Sequence, residues 1–520
     1  EHTNIQTYKQ YKHAKTMSTF EYTDIKKLLK NPELIRTTSF VNGQWTKQSD
    51  STASFKVTDP GSQDNKVIAE LPDEPLSIVD FAIESAYDSF KKYKNTTPRQ
   101  RASWLRTLYN LMMENAEDLA VLVTLENGKS FSDALGEIKY GATYFEWFAE
   151  EAPRLYGHTI QPNNPKNRVF TRKEPVGVVG IICPWNFPSA MITRKAAAAL
   201  AVGCTVVVKP DSQTPLSALA LAYLVEKAGF PKGSYNTVLS HTQTPEFGLK
   251  LCEDKRVKKI TFTGSTNVGK ILMKQAASSM SKVSFELGGN APFIVFEDCD
   301  LKQTVDQAIA AKFRGLGQTC VCANKFYVQK SLVPKFTEAL KEQVLGFNIG
   351  HGLNKSSTHG SLINDKALEK TKDHVKDAVE NHGAEVVIKG GPLPELGPNF
   401  YSPTVLTNVS PKSKVCQEET FGPLCAIVPF ETLEEVVAYS NDCDVGLASY
   451  VFSKNIDTIF QVSEALESGM VSCNTGLFSD CAIPFGGVKE SGFGREGSLY
   501  GVDDYTVIKT ITIGNLRDSL

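Results

Sequence analysis

Residues 176–209 read VGVVGIICPWNFPSAMITRKAAAALAVGCTVVVK and indicate the fold class of the chain. Its first eight residues form an apolar, β-rich run that Pro184 ends, which predicts a buried strand in a parallel sheet. The alanine-rich segment Ala190–Ala201 then predicts a helix, and Val206–Lys209 predicts the next strand. A strand, a crossover helix and a second strand form the repeating unit of a parallel α/β sheet.

The same alternation continues along the chain. Helix Leu216–Ala228, strand Lys258–Thr263 and helix Val268–Ala277 are predicted in that order. A second series of strands and helices starts near Ala291, and no internal repeat or low-complexity linker separates the two series. We therefore predict an α/β protein made of two interlocked domains.

Two outlying segments predict a third, small β element. The stretch 156–174 is polar and strand-like, and the tail 505–513 alternates apolar and polar residues. Such a tail is expected to be an edge strand that needs a partner strand, which a second subunit could supply.

The composition excludes several classes of protein. The 520 residues are 41% hydrophobic and 22% charged, which is ordinary for globular domains, and the length suggests about three of them. A net charge of −2 argues against a dedicated nucleic-acid binder. No apolar run reaches the roughly 18 residues of a membrane span. The eleven irregularly spaced cysteines contain no CxxC pair, so we expect free thiols in a reducing compartment.

The N-terminal residues 1–16 are polar throughout and are expected to be a disordered extension ahead of Met17. A degenerate mitochondrial presequence is the alternative, although the segment lacks arginine and opens with an acid. We expect a cytoplasmic protein, with a mitochondrial location as the second interpretation.

Cys320 ends the glycine-rich loop FRGLGQTC, where a nucleophilic thiol is expected. The reactive thiolate needs a lowered pKa and an open approach. Glu286, between apolar neighbours, is a candidate general base, and Asn186, between two prolines, is a candidate oxyanion donor. A salt-bridged glutamate and an ordinary turn asparagine are the plainer interpretations. Cys322 is the second candidate nucleophile, or the partner of Cys320 in an inhibitory disulfide.

The segment Gly264–Lys270 follows a strand and opens a helix, a context that binds phosphate groups. Its GxxxxGK spacing resembles a nucleoside triphosphate loop, but Ile271 stands where such a loop needs Ser or Thr. A dinucleotide pyrophosphate needs no such ligand, and a plain capped helix is the remaining interpretation. Lys209, at the end of its strand, can reach a nucleotide or can be a solvated surface lysine.

Arg194 and Arg314 indicate the kind of substrate. Two guanidinium groups that flank one thiol can hold a carboxylate through bidentate hydrogen bonds. Taken singly, each arginine fits a structural salt bridge.

Together these segments resemble the aldehyde dehydrogenase superfamily, over residues 40–515. Within it, the chain is most similar to succinate-semialdehyde dehydrogenases of the fungal and bacterial type. The resemblance is carried by six motifs in fixed order, namely PWNFP, FTGSTNVG, FELGG, GQTC, EETFGP and PFGGVKESGFGRE.

The resemblance implies a Rossmann-variant cofactor domain (17–155 and 178–287), an α/β catalytic domain (288–485) and a small β oligomerisation element (156–177 and 486–520). Cys320 would be the nucleophile, Glu286 the general base and Asn186 the oxyanion donor. The implied dinucleotide-binding residues are Trp185, Lys209, Ser212, Gly264, Ser265, Gly269, Glu419 and Phe421.

The resemblance also implies the reaction, which is oxidation of succinate semialdehyde to succinate during 4-aminobutyrate degradation. Arg194, Arg314 and Ser479 would hold the distal carboxylate, although Asp480 beside Ser479 is an awkward neighbour for an anion. Ser212 stands where members restricted to NAD place Glu, so we predict use of both NAD and NADP. The enzyme is expected to be a homodimer or homotetramer, without metal, nucleic-acid or membrane partners. Another ω-carboxylated or aliphatic aldehyde is the alternative substrate.

Overall fold

The computed structural model describes residues 20–47 and 53–517. The predicted extension 1–16 lies outside these residues. Within them, the first sheet has eight strands with a parallel centre. In spatial order they are Gln44–Trp45, Phe40–Val41, Tyr235–Thr237, Thr205–Lys209, Val178–Ile182, Val257–Thr263, Lys282–Glu286 and Gly492–Phe493. The predicted central strands are confirmed.

The second sheet has seven strands among the described residues and is parallel except at one edge. Its order is Glu385–Ile388, Thr404–Thr407, Leu424–Phe430, Ala323–Gln329, Ala291–Val295, Ala448–Phe452 and Met470–Cys473. The prediction of two parallel α/β series is therefore confirmed.

The predicted tail strand finds its partner within the same chain. Thr506–Ile513 pairs antiparallel with Arg168–Pro175, and Thr159–Ile160 completes a three-stranded sheet. The tail strand therefore does not require a partner strand from another subunit along the edge that faces Arg168–Pro175. Within 20–47 and 53–517, three smaller strand pairs join Ser54–Thr58 to Val67–Pro72, Gly391–Pro392 to Tyr401–Ser402, and Val445–Gly446 to Val488–Lys489.

Helices cover the sheets. The α-helices are Leu76–Tyr93, Pro98–Glu114, Ala116–Asn127, Phe131–Glu151, Ala190–Val202, Pro215–Lys227, Thr244–Glu253, Thr266–Ala276, Leu301–Phe313, Val333–Leu345, Asp365–Lys376, Lys414–Gln417, Leu433–Asn441 and Ile456–Ala465. Short 3-10 turns occupy Ile25–Leu28, Pro32–Leu34, Ala152–Arg154, Arg314–Gly317 and Tyr500–Tyr505, and a π-helical turn occupies Asp377–Asn381. None of the helices in the described segments has the length and apolar character to cross a membrane.

The connections between strands place the functional motifs at one edge of the first sheet. Asn186 follows strand Val178–Ile182, and Glu286 is the last residue of strand Lys282–Glu286. Strand Val257–Thr263 lies between these two strands and pairs in parallel with both. Carboxyl ends of parallel strands meet at one edge, which is where open α/β sheets bind ligands. The loop that carries Cys320 contacts both Asn186 and Glu286 at this edge and leads into strand Ala323–Gln329 of the second sheet.

Candidate active site

One cavity of about 200 Å³ brings five of the predicted residues together. Its lining includes Asn186, Arg194, Arg314, Cys320 and Ser479. These residues come from three separate regions of the sequence, so their convergence is a property of the fold.

The Cys320 loop has a strained backbone. Gly315 and Leu316 have φ values of 56° and 53°, a left-handed conformation that few side chains tolerate. At Gly317, where φ is 78°, a Cβ atom would collide with the carbonyl of Gly422. The loop therefore packs closely against the EETFGP segment, and glycine is required there for that close approach.

The Cys320 thiol donates a hydrogen bond to a carboxylate oxygen. Its Sγ lies 2.9 Å from Oε1 of Glu286, and the cysteine is half-buried. Burial and the neighbouring Glu286 charge raise the pKa of Cys320 well above its usual range. The expected lowering of the pKa is not met in this state, because the thiol is buried and its hydrogen-bond partner is a carboxylate. The geometry suits a thiol that gives its proton to Glu286.

Glu286 is not in the apolar surroundings that its sequence neighbours suggest. Its Oε2 accepts from the Arg194 guanidinium and, at 3.1 Å, from the Thr263 hydroxyl. The side chain is 3% exposed, so this ion pair is fully buried. The flanking Phe285 and Leu287 misled the prediction, since alternate residues of a strand face opposite sides.

Arg194 is committed to protein carboxylates. Its Nε donates to Glu496 at 2.6 Å, and its Nη2 contacts both Glu496 and Glu286. Lys195 completes the cluster, with Nζ 2.7 Å from Glu496 and 2.6 Å from the Thr263 hydroxyl. Burial opposes ionisation of Glu496, but the charges of Arg194 and Lys195 lower its pKa to about 2. Arg194 is therefore not free to bind a substrate in this state, contrary to the expectation.

Arg314 differs from Arg194 in this respect. Its guanidinium carbon lies 5.5 Å from the centroid of the Phe187 ring, and it forms no ion pair with any residue in 20–47 or 53–517. Ser479 lines the same cavity. The neighbouring Asp480 is exposed and accepts from the backbone N–H of Ala482 at 2.8 Å. Its carboxylate thus caps its own turn, and Ser479 rather than Asp480 lines the cavity, although the negative charge stays one residue away.

Asn186 lies beside the thiol loop and is held by residues that sequence reasoning missed. Its Nδ2 donates to the carbonyl of Gln318 at 3.2 Å, and its backbone carbonyl accepts from Lys129 Nζ at 2.6 Å. Lys129 forms a buried ion pair with Glu137, also at 2.6 Å. Glu137 in turn accepts from the backbone N–H groups at the start of the helix that carries Arg194. Only a motif-independent search for buried charges would have found this pair.

Several of the predicted cofactor residues lie near each other. Ser265 caps helix Thr266–Ala276, and Trp185 contacts the edge of Phe421 with ring centroids 5.6 Å apart. Glu419 accepts from the Gly289 N–H at 3.3 Å, and burial raises the pKa of its carboxyl to about 7. Predicted Gly264 precedes the cap, and predicted Gly269 packs within the helix so closely to Leu287 that a Cβ would lie 2.6 Å from its Cδ2.

The Asn324 side chain, which the sequence analysis did not identify, hydrogen-bonds to the loop that carries Glu419. Its Nδ2 donates to the carbonyls of Val415 and Glu418 at 2.7 and 3.0 Å, and its Oδ1 accepts from the Thr420 N–H at 3.1 Å. This side chain fixes the backbone on both sides of Glu419.

The surroundings of Lys209 favour a nucleotide-binding lysine over a solvated surface lysine. It is 4% exposed, its Nζ donates to the Pro210 carbonyl at 3.1 Å, and burial lowers its pKa. An ammonium group has three protons to donate, so the site suits a further acceptor such as a ribose hydroxyl or a phosphate. Predicted Ser212 lies in the turn that follows.

The geometry disfavours two alternatives that the sequence leaves open. Lys270, the lysine of the GxxxxGK spacing, forms a surface ion pair with Glu490 at 2.7 Å, and Ile271 beside it offers no magnesium ligand. Cys322 is buried and accepts from Lys312 Nζ at 3.4 Å, whereas Cys320 faces Glu286. Both cysteines are free thiols.

Comparison with known proteins agrees with this geometry. The sequence profile of the aldehyde dehydrogenase family matches residues 45–511. The chain is 66% identical to the NADP(+) succinate-semialdehyde dehydrogenase of Saccharomyces cerevisiae, with 95% of this chain and 99% of that protein covered. It is 47% identical to the glutarate-semialdehyde dehydrogenase of Pseudomonas aeruginosa, with 94% and 100% covered. Among solved structures, a succinate-semialdehyde dehydrogenase from Burkholderia pseudomallei is 44% identical, with a TM-score of 0.91 and coverage of 94% and 100%.

Proposed function

The chain belongs to the aldehyde dehydrogenase family, and from this premise we propose that it oxidises succinate semialdehyde to succinate with NADP⁺ or NAD⁺, a reaction of 4-aminobutyrate degradation. The observation that carries the choice of substrate is Arg314, whose guanidinium has no carboxylate partner in the described chain and lines the cavity of Cys320 and Ser479. A carboxylate is the ligand that such a group binds best. The names of the yeast relative and of the Burkholderia structure point to the same substrate.

The first chemical step forms a bond between Cys320 and the substrate. Sγ adds to the aldehyde carbon while its proton passes to Glu286 Oε1, which already accepts the S–H hydrogen bond. The carbonyl oxygen becomes an oxyanion, stabilised by the Asn186 side chain and the Cys320 N–H. For this, Asn186 Nδ2 exchanges its present acceptor, the Gln318 carbonyl, for the substrate oxygen. The bound dinucleotide supplies the acceptor for the hydride, and a thioester on Cys320 remains.

The second step hydrolyses the thioester. Glu286 first releases the proton of Cys320 to solvent. Its carboxylate then takes a proton from water, the hydroxide oxygen bonds to the thioester carbon, and the carbon–sulfur bond breaks. The Cys320 sulfur leaves as a thiolate, and succinate departs. One carboxylate thus serves two steps, since it accepts a proton first from the thiol and later from water.

Arg194 has to exchange partners during this cycle. While Arg194 holds Oε2 of Glu286, the carboxylate is fixed against the thiol and is not free to turn toward water. The carboxylate of the substrate can replace Glu286 as the acceptor on Arg194 Nη2, with Arg314 and Ser479 completing its site. By binding to Arg194, an anionic substrate also frees Glu286 to act as the base. A neutral aldehyde offers no such replacement and is expected to turn over more slowly.

A second candidate substrate is a longer ω-carboxylated aldehyde, because one relative is named for glutarate semialdehyde. The test is kcat/KM for succinate semialdehyde, glutarate semialdehyde and butyraldehyde, each with NADP⁺ and NAD⁺. We expect succinate semialdehyde to exceed butyraldehyde by about 100-fold or more. A ratio near one would contradict the role of the arginines, and a higher rate with glutarate semialdehyde would change the substrate.

The domain roles and assembly remain part of this proposal. We assign the dinucleotide to the first sheet, whose strand ends carry Lys209 and Ser265, and the catalytic domain to the second. A homodimer or homotetramer is supported by exposed apolar residues on the tail strand, since Ile508 is 69% exposed. A cytoplasmic location is supported by the free cysteines, although a mitochondrial matrix is reducing as well.

A further inference from the structure

His241 lies beside Ser212 and close to Lys209, the residue that the family resemblance places at the adenosine ribose of the dinucleotide. It follows strand Tyr235–Thr237, which is the parallel neighbour of strand Thr205–Lys209. The carboxyl ends of these strands are adjacent, so the turn after Lys209 meets the segment after Thr237. At this point Nδ1 of His241 is 3.1 Å from Oγ of Ser212. The imidazole is exposed, as a group that contacts a ligand must be.

The imidazole is held in place from two sides. The Asp73 carboxylate accepts from the backbone N–H groups of His241 and Thr242 at 2.8 and 3.0 Å. The ring stacks on Phe55, with centroids 5.3 Å apart and planes 19° apart. An exposed histidine on a loop usually samples many positions, whereas this one is fixed beside Ser212. A fixed donor loses little entropy when a ligand binds.

The charged groups around His241 and Ser212 include too few cations to bind a phosphate group. Burial favours protonation of Asp73, but hydrogen bonds from Thr242 and His241 lower its pKa, so the carboxylate is ionised. Asp211 adds a second carboxylate, which accepts from the Gln213 N–H at 2.9 Å. Both act electrostatically on Lys209, the one buried cation that the described residues place at this turn. A phosphate here would meet two negative charges and one positive charge unless His241 contributes a second positive one.

We infer that His241 is a specificity-determining residue that, with Ser212 and Lys209, binds the 2′-phosphate that distinguishes NADP⁺ from NAD⁺. This inference rests on the proposed function and assigns the selectivity of the enzyme for NADP⁺ to His241. The imidazole donates a hydrogen bond to the phosphate and, when protonated, offsets the two aspartates. The Ser212 hydroxyl, which now faces the imidazole, becomes the second donor.

The test is isothermal titration calorimetry of the full chain with NADP⁺ and with NAD⁺, which measures binding without turnover. The quantity compared is the ratio of the two dissociation constants in the wild type, His241→Gln and His241→Lys. We expect His241→Gln to shift this ratio toward NAD⁺ by about tenfold or more, the effect of one charge-assisted hydrogen bond. His241→Lys restores the cation and is expected to recover most of the shift.

A matched control is His158→Gln, because His158 is an exposed histidine that precedes strand Thr159–Ile160, far in sequence from Ser212 and Lys209. Its ratio is expected to equal that of the wild type. A ratio in His241→Gln within about twofold of the wild type would overturn the inference, as would a shift that His241→Lys does not reverse. If the wild-type chain bound neither dinucleotide, the proposed function itself would fail, which separates the two outcomes.

Discussion

Replacing Arg314 with glutamine should remove selectivity for an anionic aldehyde and leave the chemistry intact. Arg314 has no protein carboxylate to leave unpaired in the described chain, so its loss costs mainly the contact with the substrate. Hydrogen bonds to charged groups contribute about 1.5–3 kcal/mol. This corresponds to a fall of roughly 10- to 150-fold in kcat/KM for succinate semialdehyde. Butyraldehyde, which has no carboxylate, should change by less than about threefold.

The assay is stopped-flow and steady-state measurement of NADPH formation with both aldehydes. Arg256→Gln is the matched control, because Arg256 pairs with Asp254 at the surface and should leave both rates unchanged. Arg194→Gln is the informative contrast. It should lower the rates with both aldehydes, because Arg194 also holds Glu286 and Glu496. Equal losses for the two aldehydes in Arg314→Gln would refute the assignment of Arg314 to the substrate carboxylate.

Three further outcomes follow from the same contacts. Burial and the Glu286 carboxylate raise the pKa of Cys320, so the rate of its alkylation by iodoacetamide should increase about tenfold per pH unit from pH 6 to 9. Glu286→Gln should shift this rate profile to lower pH. The rate is measured by peptide mapping, and a plateau below pH 8 would contradict the raised pKa. Asn186→Ala should lower kcat by about 10²–10³, and an unchanged kcat would exclude it as the oxyanion donor. Lys129→Met leaves the buried Glu137 without its cation and should lower the free energy of unfolding by about 3–5 kcal/mol. The double variant Lys129→Met/Glu137→Gln should lose less stability, and thermal unfolding of both variants measures the difference.

Local patterns were sufficient to predict the layout of the first sheet. The apolar runs, the helix between them and the punctuating prolines are features of neighbouring residues, and the strands Val178–Ile182 and Thr205–Lys209 form where they are predicted. The site residues were predicted from motifs, and the cavity brings Asn186, Arg314 and Cys320 together. Their chemical roles stay predictions until the variants are measured.

The electrostatics of the site could not be predicted in this way. Arg194 pairs with Glu496 across 302 positions of sequence, and no local pattern reports such a contact. The same is true of Lys129, which supports the backbone carbonyl of Asn186 from 57 residues away. The apolar neighbours of Glu286 suggested a desolvated base, whereas the fold pairs it with a guanidinium. The pairing determines which of the two arginines is free, and therefore where the substrate anion first binds.

The central claim is that Cys320 forms a thioester with succinate semialdehyde and that Glu286 hydrolyses it. The most direct measurement is peptide mass spectrometry of Glu286→Gln after a brief reaction with succinate semialdehyde and NADP⁺ at about pH 9, quenched in acid. At that pH solvent takes the Cys320 proton in place of Glu286, whose loss also lowers the pKa of the thiol, so that only the hydrolysis lacks its base. We expect a succinyl group on the peptide that contains Cys320, absent without NADP⁺ and absent from the Cys320→Ala variant. A succinyl group on Cys322, or none on this peptide while NADPH is formed, would contradict the claim.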